Sequence, residues 1–267
     1  MSTSGVSWLR VRAIARRHAL VLRRSPHRLF DITIWPLVDA VLFGSIGVFV
    51  AGSEGAGADA FGYLIAGIIL WHVVYQSQIA LSTGFLEEMW SRNVLNIMVT
   101  PLKEIEYVAG VILFGFVKLA LGVGLVAITA LAMFSFDITD LGLGLIPVAT
   151  ILLIVGWAIA LLVIGVVFRF GSGAEALAWG VLFAVLPLSG VFYPVDALPG
   201  FLQPVAQILP TTHAFAAMRA LVDGDPLPWD EIAWGAAGAV ALTAVALVFL
   251  TKMLVTFRRR GYISRYL

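Results

Sequence analysis

The sequence predicts an all-α integral membrane protein with six transmembrane helices, and three observations predict it. Of its 267 residues, 61% are hydrophobic and only 12% charged, where a soluble domain carries about a quarter charged. A span needs roughly 20 apolar residues, and runs near that length recur at about 32–51, 61–85, 107–135, 143–168, 174–193 and 231–256. Basic residues are also segregated. Every Lys and Arg except Lys118 and Arg219 lies ahead of the first span, in the second or fourth loop, or near the C-terminal end. Basic loops stay in the cytoplasm, so both termini are expected there, as an even number of spans requires.

Ahead of the first span stands WLRVRAIARRHALVLRR, residues 8–24. Wound at about 100° per residue, it places Trp8, Val11, Ile14, Ala15, Val21 and Leu22 on one face and its arginines on the other half. That pattern predicts an interfacial amphipathic helix on the cytoplasmic leaflet, ended by Ser25-Pro26. Residues 1–30 are thus read as this helix and its connection, and 31–267 as the six-span domain. No cleavable signal peptide is expected, because the first apolar run begins only near Ile32.

Ionisable groups inside a span are costly and draw attention. Asp39 sits near the middle of the first span, one turn after Pro36; His72 and Lys118 lie in the second and third. Asp39, Trp35 and Tyr75 are candidates to line a polar passage. For Asp39, a structural hydrogen bond or ion coupling stays open beside that reading.

The second loop reads EEMWSRNVLNIMVTPL, residues 87–102. Glu87, Glu88, Arg92 and Asn93 form a polar face; Met89, Leu95, Ile97 and Met98 stay apolar. Glu88 and Arg92 stand four apart, where a local ion pair would form on a helix. The third and fourth spans are long enough to tilt or to project beyond the bilayer, and GSGAEAL at 171–177 reads as a tight cytoplasmic turn.

Residues 190–224 contain Pro194, Pro199, Pro204 and Pro210 in a stretch still rich in Phe, Leu, Val and Ala. Each proline removes a backbone donor and disfavours helix in the residue before it. Interrupted backbone at membrane depth survives only where protein buries it or a cavity accepts it. Residues 194–222 are therefore expected to dip into the outer half of the bilayer and return.

The chemistry that is missing matters as much. No G-x-x-x-x-G-K-[ST] segment cradles a nucleotide, cysteine is absent, and His18, His27, His72 and His213 have no metal-ligand spacing. No G-x-S-x-G context activates a serine. Neither catalysis, a metal nor a cofactor is expected of this chain by itself.

SGVFYPVDALPGFLQPVAQILPTTHAFAAMR at 189–219 and EEMWSRNVLNIMVTPL at 87–102 resemble two segments of the permease subunits of type 2 ABC exporters. That family includes exporters of O-antigen and teichoic-acid polymers, nodulation factors and daunorubicin-like drugs. The resemblance covers nearly the whole chain. It implies a transporter of two permease copies, a homodimer by default, with two separate ATPase chains that hold ATP and Mg. It implies ATPase docking at Glu87, Glu88, Met89, Arg92 and Asn93. It also implies an outer gate carrying Tyr193, Pro194, Pro199, Pro210, His213 and Arg219. Thr211 or Thr212 is expected to cap a short helix, with Arg219 pairing with Asp196 or Asp223 or meeting an anionic head group. The implied activity is outward movement of an amphipathic lipid, glycolipid, glycan or drug across a bacterial or archaeal plasma membrane. Membrane lipid is a partner and nucleic acid is not. The competing reading is an ion-coupled carrier or channel that needs no ATP.

Overall fold

A chain in lipid must satisfy its backbone groups internally, and helices do so within one segment. The computed structural model describes residues 5–53, 60–91, 93, 96, 97, 99–174 and 176–259. Among them it is all helical: α1 (Trp8–Arg23), α2 (Pro26–Ala51), α3 (Ala60–Trp90), α4 (Glu104–Phe134), α5 (Leu145–Phe170), α6 (Ala176–Leu188), α7 (Gln203–Ile208), α8 (Pro210–Val222) and α9 (Trp229–Arg259). Short 3-10 turns cover 138–144 and 195–197.

Among the described residues, five segments are long and apolar enough to cross a membrane: Arg28–Ala51, Ala60–Trp90, Ile105–Phe134, Ile138–Phe170 and Trp229–Thr256. The fifth expected span, 174–193, is shorter than its apolar run suggested. Its helix is α6, 13 residues or about 20 Å at 1.5 Å each, against a hydrocarbon core of about 30 Å. Gly171 with φ 82° ends α5 before it, and a turn at positive-φ Gly190 follows it.

α3 forms the axis of the bundle, with α2, α4, α5, α6 and α8 packed around it. Its buried face mixes Ile65, Ile68, Ile69 and Val74 with His72, Gln76, Ser77, Gln78 and Ser82. This polar content does not follow from an apolar run, and it is the feature that distinguishes α3 from its neighbours. Paired contacts give the directions: Phe85 of α3 meets Phe168 of α5 edge-on, and Ser77 faces Gly156, so these two helices are parallel. α6 runs the other way, with Trp179 beside Tyr75 and Val191 beyond its end against Gly67. It thus follows only part of α3.

The expected amphipathic helix is present as α1, but the surface it covers is largely protein. Val11, His18 and Leu22 are buried, and α1 packs chiefly on α4. Gly110 permits that approach, since a Cβ there would lie 2.6 Å from Ile14 Cβ. Trp8, assigned to the apolar face by the helical wheel, is instead exposed, as is Leu9.

At the other end of the bundle, α7 and α8 form a helical pair. Pro210 starts α8 and seats on α9 at Gly238, where an added Cβ would lie 2.9 Å from the proline ring. Nine residues down α9 from Trp229 is well inside that helix, about 13 Å along its axis. α8 then returns toward Gly62 of α3 through Val222.

Candidate functional site

The end of α3 carries Glu87 and Glu88, and both turn toward α1. Arg17 grips Glu88 with two nitrogens; one bond is 3.0 Å and the other is shorter. Asn93 Nδ2 donates to the same carboxylate at 2.7 Å, and Arg28 reaches Glu87 at 2.9 Å. Glu88 is buried, so this is a forked, partly desolvated pair of the strong kind. The Glu88 partnership raises the Arg17 guanidinium further above its ordinary range. His18 lies 3.9 Å from each carboxylate, beyond hydrogen-bond reach. Its burial outweighs their attraction and pushes its pKa below the ordinary value.

A second carboxylate fastens the other end of α1. Glu106 accepts from the Ser7 backbone at 2.7 Å, the Lys103 backbone at 2.9 Å and Arg10 at 3.2 Å. Arg10 also donates to the Pro101 carbonyl at 2.6 Å. α1 is therefore a strap bolted at both ends to the segment that runs from the end of α3 to the start of α4. Met89 is half-buried beside these acids; Arg92 lies outside the described residues. The exposed part of the loop includes Trp90 and Val99.

The passage candidates meet on another face. Trp35 and Asp39, four residues apart, share one side of α2. Asp39 Oδ2 lies 3.5 Å from His72 Nε2. The His72 ring stands 5.8 Å from Tyr75, which lies 6.4 Å from Trp179. One turn beyond Asp39, Phe43 stacks on Phe192 at 4.3 Å. An acid flanked by rings thus leads along α2 to the segment after α6.

The gate candidates form clips. Tyr193 Oη donates to the Pro187 carbonyl at 2.8 Å. Pro194 precedes the 195–197 turn, and the Pro199 carbonyl accepts from the Leu202 backbone at 2.8 Å. His213 ties α8 to two neighbours, Glu231 of α9 at 2.6 Å and the Gln207 carbonyl at 3.0 Å. Arg219 donates to the Gly190 carbonyl. The threonines do not cap as expected: Leu209 is the N-cap residue of α8, Thr211 pairs with Ser189 at 2.6 Å and Thr212 donates to the Ala206 carbonyl at 2.6 Å. Nor does Arg219 form the expected ion pair, because Asp223 accepts instead from Tyr63 and the guanidinium is spent on a carbonyl.

Sequence reasoning missed Arg17, Arg28, Glu106, His72 and Trp179 as members of these groups. The wheel put every arginine of α1 on the solvent half, where Arg10 and Arg17 in fact border the buried face and reach inward. A spacing of seven residues between two arginines, with isolated acids in the loop they overhang, was the available signal.

Comparison with known proteins agrees with this architecture. Residues 50–251 match the profile of the ABC-2 family transporter protein. The chain is 22% identical over 200 residues to the inner membrane transport permease YadH of Escherichia coli, covering 72% of this chain and 77% of that one. It is 22% identical over 237 residues to the daunorubicin resistance ABC transporter permease protein DrrB1 of Streptomyces coeruleorubidus, covering 85% and 81%. A 135-residue segment is 34% identical to ABC transporter G family member 20 of Dictyostelium discoideum; it spans 48% of this chain but only 18% of that protein. With its bundle of apolar helices and the family match over most of its length, the chain belongs to the ABC-2 transporter family as a type 2 ABC permease.

Proposed function

We propose that this chain is the permease subunit of an ATP-driven exporter that moves an amphipathic lipid, glycolipid, glycan or drug outward. A separate ATPase subunit would hold ATP and Mg, because no phosphate-cradling loop occurs in this sequence. The observation that carries the reading is the strap of α1 across Glu88 and Glu106, with Arg28 of α2 holding Glu87 beside it. A partner engaging the 91–102 loop would not move a free loop; it would move α1, the end of α3 and the start of α4 together. On this reading Glu87, Glu88 and Asn93 relay the stroke from inside, while Trp90 and Val99 meet the ATPase.

Two such permeases would enclose the passage, with the Trp35–Asp39–Phe43 face of α2 toward it. α6 followed by the α7–α8 pair would complete the fifth crossing and close the outer end, giving six spans with both termini cytoplasmic. His213, Arg219 and Tyr193 support that gate by holding its backbone, and Pro194, Pro199 and Pro210 shape it. The test uses the absence of native cysteine. A single Val99→Cys variant, co-expressed with the ATPase, should be captured by a short bifunctional thiol–amine reagent as a permease–ATPase adduct. Capture that fails at Val99 yet succeeds at an outer position such as Gly200→Cys would overturn the docking assignment.

A further inference from the structure

Hydrogen-bond bookkeeping on Asp39 and His72, near the middle of α2 and α3, shows which of their atoms can carry a proton. His72 Nδ1 lies 3.0 Å from the Ile68 carbonyl. A carbonyl oxygen only accepts, so Nδ1 carries hydrogen. Nε2 faces Asp39 Oδ2 at 3.5 Å. With one further proton, the two sides are either a carboxylic acid facing a lone pair or a carboxylate facing an imidazolium; the pair is neutral in both forms. Without it, two lone pairs face each other and one negative charge is left in an apolar segment, where charge is expensive.

Among the described residues no lysine or arginine pairs with Asp39: Arg28 of α2 goes to Glu87, and Arg219 of α8 donates to the Gly190 carbonyl. The cations of α1 that the structure pairs, Arg10 and Arg17, go to Glu106 and Glu88. Lys118 of α4 stands 5.6 Å over the Phe114 ring, and α6 contains no ionisable residue. Asp39 is nevertheless open on one side: its side chain keeps 36% of its surface, while that of His72 keeps 2%. Trp35 stands exposed four residues before Asp39 on the same side of α2, and the Tyr75 ring lies 5.8 Å from that of His72. Aromatic faces attract cations, most strongly where water is excluded.

We propose that Asp39 and His72 form an exchange site at which the cationic group of an organic amphiphile takes the place of one proton. The cation seats against the open Asp39 oxygen between the rings, and the displaced proton leaves to water, so the charge of the site stays balanced. This rests on the permease reading and narrows its substrate class to amphiphiles carrying a delocalised or amine cation.

The test is a binding measurement on the full chain in phosphatidylcholine nanodiscs, with tetraphenylphosphonium as probe, tetraphenylborate as its anionic counterpart of like shape, and empty nanodiscs subtracted. Tetraphenylphosphonium should bind with release of close to one proton in weakly buffered solution. Below the pH at which the pair loses its proton, affinity should rise about tenfold per pH unit, as one-for-one exchange requires. Tetraphenylborate should release none. Asp39→Asn should abolish the release and the pH dependence and weaken binding at least tenfold, while Asp39→Glu restores both. Binding to wild type without proton release, equal binding to Asp39→Asn, or no binding at all would overturn the proposal. The wild-type proton count needs no variant to fold. Because no ATPase is present, failure here leaves the permease reading to its own crosslinking test.

Discussion

Glu88 shows what one residue can do when two elements compete for it. On an isolated helix it would pair with a neighbour four residues on; in the folded chain it accepts from Arg17 and Asn93. Removing Arg17 leaves the buried Glu88 carboxylate without its main partner, at a cost approaching the roughly 3–5 kcal/mol of a fully buried pair. Arg17 keeps 39% of its side-chain surface and loses less when Glu88 is removed. Glu88→Ala and Arg17→Ala should each lower thermal stability in detergent markedly, and the double variant should lose less than the two single losses combined. Full additivity would mean the two groups do not interact. His18, beside them, adds a pH dependence. Its folded-state pKa lies below the unfolded value of about 6.5. The unfolded chain therefore takes up the proton first as pH falls, and stability from neutral His18 is complete above about pH 6.5 and lost below it. Hydrogen exchange of α1, corrected for intrinsic rate, should quicken between pH 7.5 and 5.5, and His18→Phe should flatten that change.

Among the elements, α1 depends on a single bare position on α4. Gly110→Leu would thrust a side chain into Ile14; overpacking of this sort costs about 1–3 kcal/mol. α1 should then exchange faster while α5 and α9 stay protected, and unchanged protection of α1 would refute its seating. The α7–α8 pair makes its own prediction. Cysteines at Asp196 and Asp223 should react readily with an impermeant thiol reagent added outside, and one at buried Ala206 poorly; reaction of 196 and 223 from opposite sides would mean that the segment crosses. Which elements the sequence made legible follows from what periodicity and punctuation can report. The long apolar runs of α2, α3, α4, α5 and α9 and the prolines around α7 and α8 are local signals. The short α6 was not legible, since an apolar run continues past the helix that ends at Leu188. The pairing of α1 with Glu88 and Glu106 was not legible either, because those partners are brought together only by packing. His72 was visible as an ionisable group in a span, but its place beside Asp39 required the register between α2 and α3.

At the scale of the whole molecule, the helices are unequally covered. α3 is enclosed, whereas α2 and α9 leave broad apolar surfaces, including Phe49, Trp234 and Val240, open to lipid or to another chain. A second copy placed against α2 would enclose the Trp35–Asp39–Phe43 column and supply the other wall of a passage. The strap at one end and the proline-shaped pair at the other would then be the two ends of one machine, driven from outside the chain. The most direct test is ATP hydrolysis in proteoliposomes by this chain, by its P-loop partner, and by the two together, each with wild-type and Glu88→Lys permease. The account expects no hydrolysis by the chain alone, hydrolysis coupled to outward amphiphile movement by the wild-type complex, and weakened assembly or uncoupled hydrolysis with Glu88→Lys. Robust hydrolysis by the partner-free chain, or wild-type coupling with Glu88→Lys, would contradict it.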